Sequence, residues 1–190
     1  MLLLQKPSDL QVRAFITDQQ QSSFSYGPLE ITRNSAISGF TVDHNRVQLG
    51  SGAPDFDAAV RAIRQWKMFD LGWVHLFFDN TPIEPGATVA VVIRHLGFWS
   101  MNACRIVYVV EEQERYGFAY GTLTEHAERG EERFMVEWNH EDDTVWYDLL
   151  AFSKPGPMAS MGYPYTRRLQ KRFAQDSVKA MKKAVSMPTN

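Results

Sequence analysis

The chain has 190 residues and a mass of 21.8 kDa, a length that suits one domain, residues 1–190, with a substantial core. Hydrophobic residues make up 44%, aromatics 13% and charged residues 22%, which excludes a disordered chain and asks for a core or cavity rich in rings. The formal charge of −2 conceals an asymmetry, because residues 165–190 hold seven Lys or Arg and one Asp, a balance of +6, against −8 for the rest.

The opening MLLLQKPSD has three consecutive leucines but no basic region before them and no small-residue cleavage site. It predicts neither a signal peptide nor a membrane span, and a soluble cytoplasmic protein is expected. Ser8 with Gln11 predicts a capping box and a helix from about Asp9 to Gln20. Tyr26 to Leu49 reads as extended, and Gly50-Ser51-Gly52 ends it. Pro54 and Asp55 then start a second helix, in which Phe56, Ala59, Val60, Ile63 and Trp66 recur at spacings of three and four and which runs to near Gly72.

Strand-like runs follow at Trp73 to Asp79, Ala87 to His95, Ala103 to Glu111, Tyr116 to Glu125, Glu132 to Asn139 and Val145 to Ser153. The connections between them are too short for crossover helices, so the strands are expected to be antiparallel. After a break from Pro155 to Pro164, a long helix from Tyr165 to about Val185 carries the basic residues, with Leu169, Phe173, Ala180 and Ala184 as its apolar stripe. The order predicts an α+β fold, in which a curved antiparallel sheet wraps around the C-terminal helix and the aromatic residues line the space between them.

The segment YGFAYGTLTEHAERGEERF, residues 116–134, carries the candidate chemistry. Its alternation predicts a hairpin that turns at Ala127 to Gly130, which would set His126 opposite Glu131. A carboxylate beside an imidazole, with Tyr120 nearby, supplies an acid or base; a cross-strand ion pair at an exposed hairpin end would look the same. Glu132 falls on the other face from Glu131, so the two do not form a dyad. Arg94 and Arg105 interrupt apolar runs and would anchor a carboxylate or phosphate on an apolar ligand. The alternative for each is an outward-facing charge or a pair with an acid such as Asp148. Tyr120, Thr122 and Tyr147 offer hydroxyls to the same space, and Trp66 offers a ring, though tyrosines and tryptophans in such places more often pack.

The single Cys104 excludes an internal disulfide and reads as a small buried hydrophobe. His44, His75, His95, His126 and His140 lack metal-ligand spacing, and neither a phosphate loop nor a nucleophile elbow is present, so no metal and no cofactor are expected. The strands are acidic and the basic helix lacks exposed rings, which argues against nucleic acid.

The chain resembles an uncharacterised family of bacterial and plant proteins, known as a domain of unknown function, within the START and birch-pollen-allergen (SRPBCC, helix-grip) superfamily. The resemblance covers most of the chain. It rests on Gly50-Ser51-Gly52, Phe56, Ala59, Trp66, Gly72-Trp73, Pro85-Gly86, the run from Cys104 to Tyr108, the run from Gly117 to Leu123, His126, Gly130-Glu131-Glu132 and Phe152-Ser153. Glu125 departs from the family's glycine before the histidine. The resemblance implies a helix-grip domain with a cavity and leaves turnover open. Three functions are carried forward. The cavity binds an apolar or amphipathic small molecule; or it is the site of a cyclase or lyase using His126 or Tyr120; or the core is filled and the basic C-terminal helix meets an anionic surface.

Overall fold

Short turns between β-rich runs leave no room for crossover connections, and every strand pairing is antiparallel. The computed structural model describes residues 1–33, 38–78, 80–156 and 163–186, without the side chains of Pro155 and Tyr163. Asp79 and most of the expected break from Pro155 to Pro164 lie outside these residues. In chain order the elements are β1 (Leu2–Leu3), α1 (Asp9–Gln19), β2 (Thr41–Ser51), α2 (Gly52–Arg64), a 3₁₀ turn (Lys67–Phe69), β3 (Val74–Phe77), β4 (Thr88–His95), β5 (Phe98–Glu111), β6 (Arg115–Thr122), β7 (Glu128–Asn139), β8 (Thr144–Pro155) and α3 (Tyr163–Ser186). The sheet runs β2-β8-β7-β6-β5-β4-β3, and β1 pairs with the first part of β5, beyond the stretch that β6 covers. Its concave face holds α2, the 3₁₀ turn and α3, which is the α+β helix-grip arrangement expected from the sequence.

The opposite face is also covered. α1 starts with the predicted capping box: the Ser8 N–H donates to Gln11 Oε1 at 2.9 Å and the Gln11 N–H to Ser8 Oγ at 3.4 Å. It lays Val12 and Phe15 over Ala90, Val92, Met101, Ala103 and Leu123, a second core on the convex side. β4 and β5 are therefore buried on both faces.

Local chemistry fixes the other helices. The Asp55 carboxylate turns back to accept the Ser51 N–H at 2.9 Å and occupies the place where a Cβ on residue 50 would sit, so a larger residue there would have to displace this side chain. α2 ends at Arg64 rather than near Gly72, because Trp66 takes a left-handed backbone (φ 55°). That turn sends its indole inward, where Nε1 donates to the Thr81 carbonyl at 3.1 Å and the ring meets Phe118 edge-on at 4.8 Å. In α3 the buried positions are Ala174, Ser177, Met181 and Val185, one helical face at spacings of three and four. Leu169, Phe173 and Ala184 flank it.

The expected hairpin is corrected. β6 ends at Thr122 and β7 begins at Glu128, so the turn lies at residues 123–127 and Gly130 sits within a strand. Glycine is needed there for close approach, since a Cβ would fall 1.8 Å from the Phe152 carbonyl oxygen. Thr122 Oγ1 accepts the Gly130 N–H at 2.9 Å and closes the end of the ladder.

Candidate functional site

Strand alternation sorts side chains onto the two faces, and the concave set encloses a space. Register places Tyr120 beside Glu132, Glu132 beside Ala151 and Ala151 beside Asp43, a row across β6, β7, β8 and β2 that faces α3. Val91, Ile93 and His95 of β4, Ser100 and Asn102 of β5, Leu149 and Ser153 of β8, and Leu169, Gln170 and Phe173 of α3 complete the walls. Many of these residues are small or polar and do not fill the space between sheet and helix, and a partly enclosed cavity of about 760 Å³ remains. That lies within the 300–1,000 Å³ or so usual for small-molecule sites.

The charged side chains of the cavity are mostly acidic. Tyr120 donates its hydroxyl to Glu132 Oε2 at 2.8 Å. Burial pushes the Glu132 carboxyl up to about 7; the Tyr120 hydroxyl opposes this, and the charges of Glu128 and Asp43 reinforce it. Glu128 is raised as well, again chiefly by burial, and accepts Gln170 Nε2 at 2.5 Å, while Gln170 also reaches Ser153 Oγ at 3.1 Å. Asp43 holds Arg167 through both guanidinium nitrogens, one at 2.7 Å. Burial holds His126 down to about 4, so its ring is neutral at physiological pH. Its Nδ1 lies 3.0 Å from the Glu128 N–H and 3.1 Å from the Glu128 carbonyl, groups left without a strand partner where β6 has ended. His95 Nδ1 is buried without a hydrogen-bond partner, and its ring lies 6.0 Å from that of Tyr165.

The structure gathers some of the sequence candidates and disperses others. Tyr120, Thr122 and His126 all line the cavity, although the Thr122 hydroxyl is occupied by the Gly130 backbone and by Ser25 Oγ at 2.6 Å. Glu131 does not face His126. It pairs in register with Gly121 and turns to the convex side, where its carboxylate receives the Tyr26 hydroxyl (2.6 Å), the N–H groups of Glu30 and Thr32 (3.0 Å each) and the Thr32 hydroxyl (2.5 Å). It clamps the preceding segment to the sheet.

Arg94 and Arg105 also lie on the convex face. Arg94 is exposed, with its guanidinium 5.9 Å from the Trp99 ring. Arg105 donates to the carbonyls of Gln19 and Gln20 at 3.0 and 2.9 Å, capping the C-terminal end of α1, and to Thr88 Oγ1 at 3.2 Å. Asp148 pairs instead with Arg133 (2.7 Å), Arg46 (3.1 Å) and His44 (2.7 Å). Tyr147 is fully buried and bonds Ser177 Oγ at 2.8 Å, outside the cavity wall, and Trp66 belongs to the packed core.

Sequence reasoning missed Glu132, Glu128 and Gln170 as site residues. Glu132 shares the parity of Phe134 and Val136, both fully buried, and that alternation was its signal. Cys104 is buried and its thiol is pushed up by burial, the behaviour of an inert core residue. Among the described residues no group of three or more His, Cys, Asp or Glu side chains could hold a metal ion, and no helix is long and apolar enough to cross a membrane.

Residues 25–180 match the model of a domain of unknown function, DUF1990. A UPF0548 protein of Dictyostelium discoideum is 39% identical over 212 residues, covering 100% of this chain and 98% of its own. A UPF0548 protein of Arabidopsis thaliana is 35% identical over 173 residues, covering 87% and 83%. Among solved structures, human STARD10 superposes with a TM-score of 0.50 at 12% identity over 95% of this chain and 80% of that one. Ara h 8.0201 does so with a TM-score of 0.50 at 14% identity over 77% and 98%. At such identities the likeness is one of fold, and the fold is START-like.

Proposed function

The chain belongs to the DUF1990 family, and on its START-like fold we propose that it binds an apolar or amphipathic small molecule in the cavity between the sheet and α3. The observation that carries this reading is the cavity itself, about 760 Å³ bounded by Val74, Val91, Ile93, Leu149, Leu169 and Phe173, with a few placed polar groups. A grip that served only to bury apolar surface would close this space, because interiors pack to high density. The convex positions of Arg94 and Arg105 remove the anionic anchor from the reading and leave the polar end of the ligand to Glu132, Tyr120, His126 and Gln170.

Titration with a neutral solvatochromic dye such as Nile red tests this. The parent protein is expected to take up the dye with a blue shift, and Ala151→Trp, which fills the space beside Glu132, is expected to lose uptake while keeping a cooperative unfolding transition. A folded Ala151→Trp that binds the dye as well as the parent would remove the cavity from the account.

One observation favours a second reading. A carboxyl pushed up to about 7 and bonded to a phenol at 2.8 Å is suited to moving a proton near neutral pH. Its support would be a turnover, on any substrate found, that Glu132→Gln abolishes and that follows the ionisation of this carboxyl. The surface reading of the basic helix draws less support: Arg167 is engaged by Asp43, while Arg172 lies over Trp73 at 4.4 Å and, with Lys179, pairs with Asp176.

A further inference from the structure

We infer that the ligand carries a cationic polar end, an ammonium on an apolar body, and that the Glu132 carboxylate receives it with Glu128 alongside. This rests on the cavity being a ligand site. Two carboxylates of its wall take hydrogen bonds from uncharged donors, Tyr120 on Glu132 and Gln170 on Glu128; the Arg167 charge acts on Glu128, and among the described residues no salt bridge to Glu132 is formed. Another wall carboxylate, Asp43, has its counter-charge in Arg167. Strand alternation sends Arg129 to the same face as Glu131, and the Met1 ammonium, which also lines the cavity, donates to the Met101 carbonyl at 3.1 Å.

Unpaired carboxylates in a space with Leu149, Leu169 and Phe173 as neighbours are costly, and a ligand ammonium would offset that cost where an anionic ligand would add to it. A second feature points the same way. His95 Nδ1 is buried on this wall without a partner, and a neutral imidazole nitrogen can accept a donor from the ligand. An ammonium supplies three donors, and the wall offers acceptors in excess.

The titratable and charged groups around the space that Glu132 faces are Asp43 on β2, His95 on β4, Cys104 on β5, Tyr120 on β6, Glu128 on β7, Tyr147 on β8, Arg167 on α3, Glu125 and His126 in the turn, and the Met1 ammonium, which donates to the Met101 carbonyl at 3.1 Å. In the range from pH 6 to pH 8 the cysteine and tyrosines, raised by burial, stay protonated, and His126 stays neutral. Glu132, at about 7, changes charge within this range, with the neighbouring Glu128 raised in the same direction, and affinity for an amine is expected to fall about tenfold from pH 8 to pH 6.

Isothermal titration calorimetry of the full chain at pH 8 with 1-octylamine, 1-octanol and octanoate separates the possibilities. The amine is expected to bind about tenfold more tightly than the alcohol, and octanoate more weakly than both. Glu132→Gln should bring the amine to the level of the alcohol, and a cooperative urea unfolding transition shows that the variant is folded. Octanol or octanoate binding as tightly as the amine, or an amine affinity untouched by Glu132→Gln, would overturn the cationic class and leave the cavity reading standing. If none of the three binds, the cavity reading falls and this inference falls with it.

Discussion

Where Tyr147 and Ser177 meet at 2.8 Å, α3 lies against the sheet; two turns earlier, around Gln170, it stands off by a cavity of about 760 Å³. The same strands and the same helix build both ends. At the packed end the inward positions carry Trp66, Phe69, Phe118 and Phe134, whose rings meet at centroid distances of 4.8 to 5.9 Å, and Met181 of α3 completes the core. At the open end the matching positions carry Ala151, Ser153, Ser100, Asn102 and Glu132. α2 and the 3₁₀ turn fill the packed end and contribute no residue to the cavity wall, so an added layer as well as side-chain volume separates core from cavity. The open end also holds the carboxyl pushed up to about 7 and the imidazole held down to about 4, so polarity changes together with volume.

Substitution at the packed end sets the upper limit of this contrast. Phe134→Ala, which removes a fully buried ring in contact with Phe69, Phe118 and Tyr120, is expected to cost about 3–5 kcal/mol in a denaturant titration. A cost below 1 kcal/mol would mean that this end is no better packed than the other.

The next largest effect has the opposite sign and depends on pH. Glu132 ionises at about 7 in the folded protein and at its ordinary 4.5 in the unfolded chain, so between these values the folded state binds more protons and stability falls as pH rises. His126, at about 4 folded and 6.5 unfolded, works the other way, with stability rising between about pH 4 and 6.5. Glu132→Gln removes only the first slope. The variant is expected to be about 1–2 kcal/mol more stable than the parent at pH 8 and equal to it near pH 4.5, as measured by urea unfolding at both values. Equal stability at pH 8 would show that the carboxyl is solvated. The smallest effect is expected for Leu169→Ala, about 1 kcal/mol or less, because the side chain already borders the cavity and its loss encloses no new void.

The strand and helix order was legible because periods of 2 and 3.6 survive in single sequences, and Ser8 with Gln11 marked a helix start that the structure shows. The hairpin was misplaced by about four residues, since Gly130 reads as a turn glycine although its absent side chain serves the approach of β8. A turn at that glycine would set His126 against Glu131, whereas the observed register puts Glu132 beside Tyr120. The parity of Arg94 and Arg105 was unreadable for a different reason: α1 buries the convex face of β4 and β5, so apolar residues occupy both faces and the alternation that would show which way an arginine points is lost. The cavity has no local signature at all. It is a difference in side-chain size and in covering elements, summed over eight strands and a helix that the sequence separates by more than a hundred residues.

Native mass spectrometry of freshly purified protein, compared with the denatured mass of 21.8 kDa, tests the ligand-site claim most directly. The account predicts a reproducible adduct of a few hundred daltons under gentle conditions, a mass suited to a cavity of this size, and its loss in Ala151→Trp. An adduct that persists unchanged in a folded Ala151→Trp would place the ligand elsewhere and contradict the account.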